Sequence, residues 1–236
     1  MNKVASTVEG SRQAVVTGSS SGIGLAIANA LLNEGWHVIG LDVAAPLITH
    51  DQFQSVALDL TDGVAVTKAA QSLATPDEFV HAAGVLRVGN VGALDHADGE
   101  LMWRIHVDAA TRIADVLIPR MAARNAGRVV FIGSRVAGGV PGRGQYAATK
   151  AALIALAKSC AAEVAPHGVT VNVVSPAATA MVSDPDRASA APKLPPIGRL
   201  IQPGEVAALV SFLLSPQAAA ITGQDIPICG GSSLAR

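Results

Sequence analysis

Aromatic residues are scarce in this chain. They make up 3% of its 236 positions, and Tyr146 is the only tyrosine. With few aromatics to stack on bases, a net charge of −1 and no basic run, a nucleic-acid partner is not expected. The two cysteines, Cys160 and Cys229, form neither a disulfide framework nor a zinc spacing. Both read as buried apolar thiols, and no metal site is expected. Charged residues are only 15% of the chain, yet no apolar run approaches the ~20 residues that span a bilayer. The segment Met1–Gly10 lacks the apolar core of a signal peptide. A cytoplasmic protein with no membrane partner is therefore expected.

Apolar residues, in contrast, make up half of the sequence, and mean hydropathy is +0.41, so there is much surface to bury. The length suits one large α/β domain or two small ones. No linker or repeat divides the chain, so residues 12–236 read as one domain behind a flexible polar stretch, 1–11. Strands are expected at Gln13–Thr17, His37–Leu41, Phe53–Leu58, Glu78–His81, Arg128–Gly133, Thr170–Ser175 and Asp225–Cys229. Helices are expected at Ile23–Asn33, Val64–Leu73, Gly99–Asn125, Gln145–Val164 and Pro203–Leu214, with Gly35 and Gly127 as terminators. Strands such as Val-Val-Phe-Ile (129–132) lack polar alternation, as in a sheet covered on both faces. The alternation predicts a doubly wound, Rossmann-type parallel sheet of about seven strands in three α/β/α layers. The proline-rich segment within 177–198 follows a strand's C-terminal end, where such sheets bind ligands, and reads as a substrate lid.

Two patterns carry chemistry. Tyr146 and Lys150 stand four apart, on one face of a helix. An ammonium beside a phenol favours the phenolate and makes tyrosine a usable acid and base near neutral pH. Earlier in the chain, Thr17-Gly18-Ser19-Ser20-Ser21-Gly22-Ile23-Gly24 follows the first strand and opens a helix. Glycines there allow a tight turn and close approach of a pyrophosphate to the helix N-terminus. The second strand then ends at Asp42, placed to accept hydrogen bonds from a ribose diol and to repel a 2′-phosphate. With no Arg or Lys near either segment, NAD is favoured over NADP.

Together these motifs resemble the short-chain dehydrogenase/reductase family, from about Gln13 to the C-terminus. Asp59-Leu60 matches its adenine-contacting acid. His81-Ala82-Ala83-Gly84 is similar to its Asn-Asn-Ala-Gly segment, and Ser134, 12 residues before Tyr146, matches its catalytic serine. Asn172-Val-Val-Ser-Pro176 resembles the turn flanking the nicotinamide, with Ala178 and Thr179 just beyond. Pro196-Ile-Gly-Arg199 and Ile221-Thr-Gly-Gln224 resemble its C-terminal signatures. The resemblance implies a homotetramer or homodimer acting on a small alcohol or carbonyl compound. It implies that Ser134 polarises the substrate oxygen, Tyr146 passes the proton, and Lys150 lowers the tyrosine pKa and holds the nicotinamide ribose.

The chain also departs from that pattern. The family's helix asparagine, which orders a water joining the lysine to solvent, falls on His106. A neutral imidazole can donate and accept, so His106 is expected either to keep that proton relay or to fill space. Asp108 is its rival if the register slips. The Ser134–Tyr146 spacing is one residue short, Ala177 replaces a glycine, and the family's threonine falls on Met181, with Thr179 as an imperfect substitute. The motifs do not report the substrate. Resemblances to 3-oxoacyl-carrier-protein reductases, which usually take NADPH, and to dihydrodiol dehydrogenases are both present. An acidic substrate would draw on Arg87, Arg135 or Arg143. The non-enzyme alternative, an NAD-binding protein without turnover, is prompted by His106.

Overall fold

Each strand of this protein sends its apolar side chains to both faces of the sheet. Val15, Phe79, Val129, Phe131, Val171 and Val173 point to one side; Ala14, Val16, Val80, Val130, Ile132 and Val174 point to the other. Neither side can meet water, so helices cover both. In the computed structural model, which describes residues 12–180 and 194–234, seven parallel strands do this: β1 (Gln13–Thr17), β2 (His37–Asp42), β3 (Phe53–Ala57), β4 (Glu78–His81), β5 (Gly127–Ile132), β6 (Val169–Pro176) and β7 (Asp225–Ile228). Their order is β3-β2-β1-β4-β5-β6-β7. Helices α1 (Gly22–Asn33) and α6 (Pro203–Leu214) pack on one face. Helices α2 (Gly63–Ser72), α4 (Ala109–Ala123) and α5 (Gly144–Val164) pack on the other. The chain runs outward from β1 to β3, then returns to β4 beside β1. That reversal opens a crevice at the strands' C-terminal ends.

The long helix differs from expectation. It begins at His96 rather than Gly99, because the Asp95 side chain accepts from the amides of Ala97 and Asp98. Its first part, α3 (His96–Trp103), passes through a π-helical turn at Arg104–Asp108 into α4. It ends at Ala123, and Asn125, in the left-handed region with φ 56°, turns the chain before Gly127 is reached. Gly127 opens β5 instead, where a Cβ would lie 2.6 Å from Met121 Cβ. Both cysteines are half-buried rather than buried. Among the described residues no helix is long and apolar enough to cross a membrane. Residues 1–11, expected to be flexible, and residues 181–193 of the lid expected at 177–198, with Met181, lie outside the described residues.

Candidate active site

At the reversal point, β1 runs into a turn that only glycine can make. Gly18 has φ 69°, and a Cβ on it would lie 2.7 Å from Ala83 Cα. A Cβ on Gly24 would lie 2.1 Å from the Gly18 carbonyl oxygen, so α1 closes tightly on the turn. Ser21 precedes α1 without capping it through its side chain. The first-turn amides therefore face the crevice uncapped by that residue, as an anion site requires. Ser20 and Gly22 complete the turn, Gly22 at φ 53°, and Ile23 packs against the core beneath α1.

Asp42 ends β2 beside this turn. Its Oδ2 accepts from the Ser20 amide at 2.9 Å, and its Oδ1 accepts from Ala44 at 2.9 Å. Asp59 is exposed, and hydrogen bonds from the Thr61 amide and hydroxyl lower its pKa. The neighbouring Leu60 is buried in the core instead of facing the crevice.

Thr17 ties β1 to β4. Its hydroxyl oxygen accepts from the amides of Ala82 at 3.1 Å and Ala83 at 3.2 Å. Its proton therefore goes to His81 Nδ1, 2.9 Å away. That bond makes His81 the Nε2–H tautomer. The ring is fully buried, and burial and Lys150 push its pKa from 6.5 to about 3. Gly84 follows, exposed, where a Cβ would lie 3.1 Å from His106 Nε2 and 3.4 Å from Lys150 Nζ.

Helix α5 supplies the reactive pair. Lys150 is 3% exposed, and its Nζ donates to the Ile132 carbonyl at 2.9 Å. Burial pushes its pKa from 10.5 down to about 7. Its Nζ lies 5.7 Å from the Tyr146 ring centre. The fully buried His106 ring meets the Tyr146 ring edge-on at 5.5 Å. Burial, then Lys150 and His81, hold the His106 pKa well below its usual value. Ser134 lies two residues past β5 and caps a short turn, Arg135–Gly138, that packs on α5. Its Oγ accepts from the Val136 amide at 3.2 Å, which leaves the hydroxyl proton for another acceptor. Ser134, Arg135, Ile154, Ser175 and Asp225 line a cleft of about 380 Å³. The structure thus brings together a phosphate turn, an acid at β2, a phenol, an ammonium and a serine around one crevice. Asp108 does not join them: it pairs with Arg112 at 2.7 Å on the surface.

The family model described as enoyl-(acyl carrier protein) reductase matches residues 18–233. A 3-oxoacyl-[acyl-carrier-protein] reductase, FabG of Vibrio harveyi, is 34% identical over 234 residues, 92% of this chain and 96% of that protein. The chain belongs to the short-chain dehydrogenase/reductase family. As a member, it is a nicotinamide-dependent oxidoreductase. A solved structure titled as a short chain dehydrogenase/reductase family protein superposes with a TM-score of 0.89 at 32% identity, covering 94% of this chain and 97% of that one. An aldohexose dehydrogenase of Thermoplasma acidophilum superposes with a TM-score of 0.85 at 27% identity, covering 96% of this chain and 95% of that one. Those names span an acyl carrier and a sugar, so family membership alone does not select a substrate.

Seen as a member of this family, the chain differs from its sequence reading in three particulars. Asn172 is a structural staple: its Nδ2 donates to the Ile221 carbonyl at 2.8 Å and its Oδ1 accepts from the Gln224 amide at 3.1 Å. Beyond Pro176 and Ala178, Thr179 turns its hydroxyl back to the Ala177 carbonyl, while Ala178–Ala180 pairs with Ile201. Of the candidate cations, Arg87 is engaged by Asp98 at 3.4 Å, whereas Arg135 lines the cleft. The sequence reading also missed Thr17, Val85 and Thr149. Thr149 sits inside Tyr-Ala-Ala-Thr-Lys, where a hydroxyl three residues after the tyrosine was the visible signal.

Proposed function

We propose that this chain moves a hydride between NAD(H) and a secondary alcohol or its ketone. Asp42 carries the reading of the cofactor. Its carboxylate sits at the end of β2 with an oxygen on each of two flanking amides, and no cation accompanies it from Ser19–Ser21 or Val43–His50. Such an anion accepts from a ribose diol and repels a 2′-phosphate. The glycine turn, whose close approaches exclude any Cβ, and the α1 amides fit a pyrophosphate. Asp59 and the loop Ala82–Gly84 would flank the adenine side and the nicotinamide side, with Pro176, Ala178 and Thr179 beyond. Bound there, the nicotinamide supplies or accepts the hydride.

This chain's own groups manage the proton. Ser134 has a hydroxyl proton to give a carbonyl oxygen. Tyr146 donates its phenolic proton to that oxygen in reduction and recovers it in oxidation. Lys150, when protonated, stabilises the phenolate. Its ammonium donates to the Ile132 carbonyl, and its other protons suit a ribose diol and the phenol oxygen. The names of full-length relatives make a 3-oxoacyl thioester the first substrate to assay. Arg135 in the cleft favours a second reading, an anionic substrate such as a carboxylated cyclic dihydrodiol. The assembly this reading expects is a homotetramer or homodimer of a small-molecule enzyme.

Fluorescence titration with the two reduced cofactors tests the reading. NADH is expected to bind at least about tenfold tighter than NADPH, and Asp42→Ala to narrow the gap. Equal affinities, or tighter NADPH, would overturn the assignment.

A further inference from the structure

We propose that His106 and Thr149 form a positioning pair that clips the loop after β4 to the first turn of α5, and that His106 carries no proton in the reaction. The hydrogen bonds around the ring leave one assignment. His106 Nε2 lies 2.9 Å from the Val85 amide, which can only donate, so Nε2 holds a lone pair. His106 Nδ1 lies 2.8 Å from Thr149 Oγ1. The Thr149 hydroxyl has one proton and donates it to the Tyr146 carbonyl at 2.8 Å. Thr149 therefore accepts from the ring, and Nδ1 carries the hydrogen.

A relay needs a nitrogen that accepts a proton and then passes it on. Here both nitrogens are spent on partners fixed by the backbone. Protonating Nε2 would set its N–H against the Val85 N–H. It would also place a second cation at most about 6.5 Å from Lys150 Nζ. Of the groups facing the ring, Lys150 from α5 and His81 from β4 work against an imidazolium, Tyr146 from α5 meets it edge-on, and burial outweighs the opposing effect of the Val85 backbone.

What the pair does is geometric. Val85 is two residues past Ala83, on the loop that packs against the glycine turn. Tyr146 is gripped twice, at its carbonyl through Thr149 and at its ring by the edge of His106. The clip thus sets the cofactor-side loop and the phenol at a fixed spacing. An asparagine at position 106 is too short to reach both Val85 and Thr149. A reacting group displaced by about 1 Å can lose roughly a hundredfold in rate.

The kinetic consequence rests on the hydride-transfer reading; the tautomer does not. Long-range proton–nitrogen correlation NMR on the full chain with labelled histidine reads the ring directly. His106 is expected as the neutral Nδ1–H form at every pH from about 5.5 to 8.5. An Nε2–H form, or a titration midpoint in that window, overturns the proposal even if no substrate is ever turned over. With a working substrate, Thr149→Val should lower kcat roughly tenfold with little change in KM for the reduced cofactor. Thr149→Ser should restore it to within about threefold. His106→Asn combined with Thr149→Val should be no worse than the weaker single variant, because both break one clip. None of these variants should change the shape of kcat against pH. Wild-type kcat in Thr149→Val alongside an impaired His106→Asn, or loss of an acidic limb in His106→Asn, refutes the clip and restores the relay.

Discussion

Replacing Lys150 by methionine should stabilise the cofactor-free protein while ending catalysis. The amine is 3% exposed and donates to the Ile132 carbonyl. Unfolded, it keeps its proton up to about its ordinary 10.5; folded, burial makes it release that proton near 7. Between these values the unfolded chain binds more protons, so this group makes stability rise with pH. The full penalty is present below pH 7 and is gone above 10.5. It amounts to about 5 kcal/mol at pH 6 and about 2 kcal/mol at pH 9. Methionine keeps most of the stem volume but strands the Ile132 carbonyl, which costs about 1–2 kcal/mol. The net gain in Lys150→Met should be about 3 kcal/mol at pH 6, shrinking to near zero by pH 9. Urea unfolding of both proteins at pH 6, 7, 8 and 9, without cofactor and at one ionic strength, measures the difference. Burial, then Lys150, lower the pKa of both His81 and His106, His81 to about 3. No gain at pH 6, or a gain that grows with pH, would refute the reasoning.

Three further outcomes are expected. Tyr146→Phe should keep the fold and cofactor affinity but lose roughly 10²–10⁴ in kcat, and activity within threefold of wild type would mean another group moves the proton. Gly24→Ala puts a Cβ 2.1 Å from the Gly18 carbonyl oxygen, so α1 must retreat from the turn; NADH affinity should fall at least about tenfold, and wild-type affinity in a titration would contradict the tight closure. Asn172→Ala strands the Ile221 carbonyl and the Gln224 amide; it should cost about 2–4 kcal/mol by denaturant unfolding, and a loss under 1 kcal/mol would mean those bonds reform with water.

The sheet was legible because its residues are of one kind. Strand β4 and helix α6 run from Glu78 to His81 and from Pro203 to Leu214, the bounds their composition predicts. The errors fall where glycine has two uses. Gly99 looks like a helix start because glycine weakens a helix interior. It stands inside α3 because Gln145 Nε2 occupies the place of its Cβ, at 2.3 Å. Gly127 looks like a helix stop for the same reason, yet it makes room for Met121. Such exchanges involve partners 46 and 6 residues apart in sequence, and local pattern reports only the glycine. The π-turn left no compositional mark.

The site was legible in its members but not in their protons. Counting along the chain placed His106 beside Tyr146 and Lys150, where the structure has it. Its role turns on Val85, 21 residues before it, and Thr149, 43 residues after it. Two of the positions where the family resemblance leads to asparagine, 81 and 106, are histidine here, and their tautomers are opposite. His81 accepts at Nδ1 because two amides already occupy the Thr17 oxygen. His106 donates at Nδ1 because Val85 occupies Nε2. In each case a backbone amide decides, and a sequence does not show where amides are spent. The outcome explains why two basic residues are tolerated where the family has neutral ones. Three nitrogen bases crowd one dry pocket, and repulsion allows it about one positive charge. Burial holds both imidazole pKa values below that of Lys150, so the charge, when the pocket carries one, sits on Lys150, whose Nζ donates to the Ile132 carbonyl and lies 5.7 Å from the phenol ring centre.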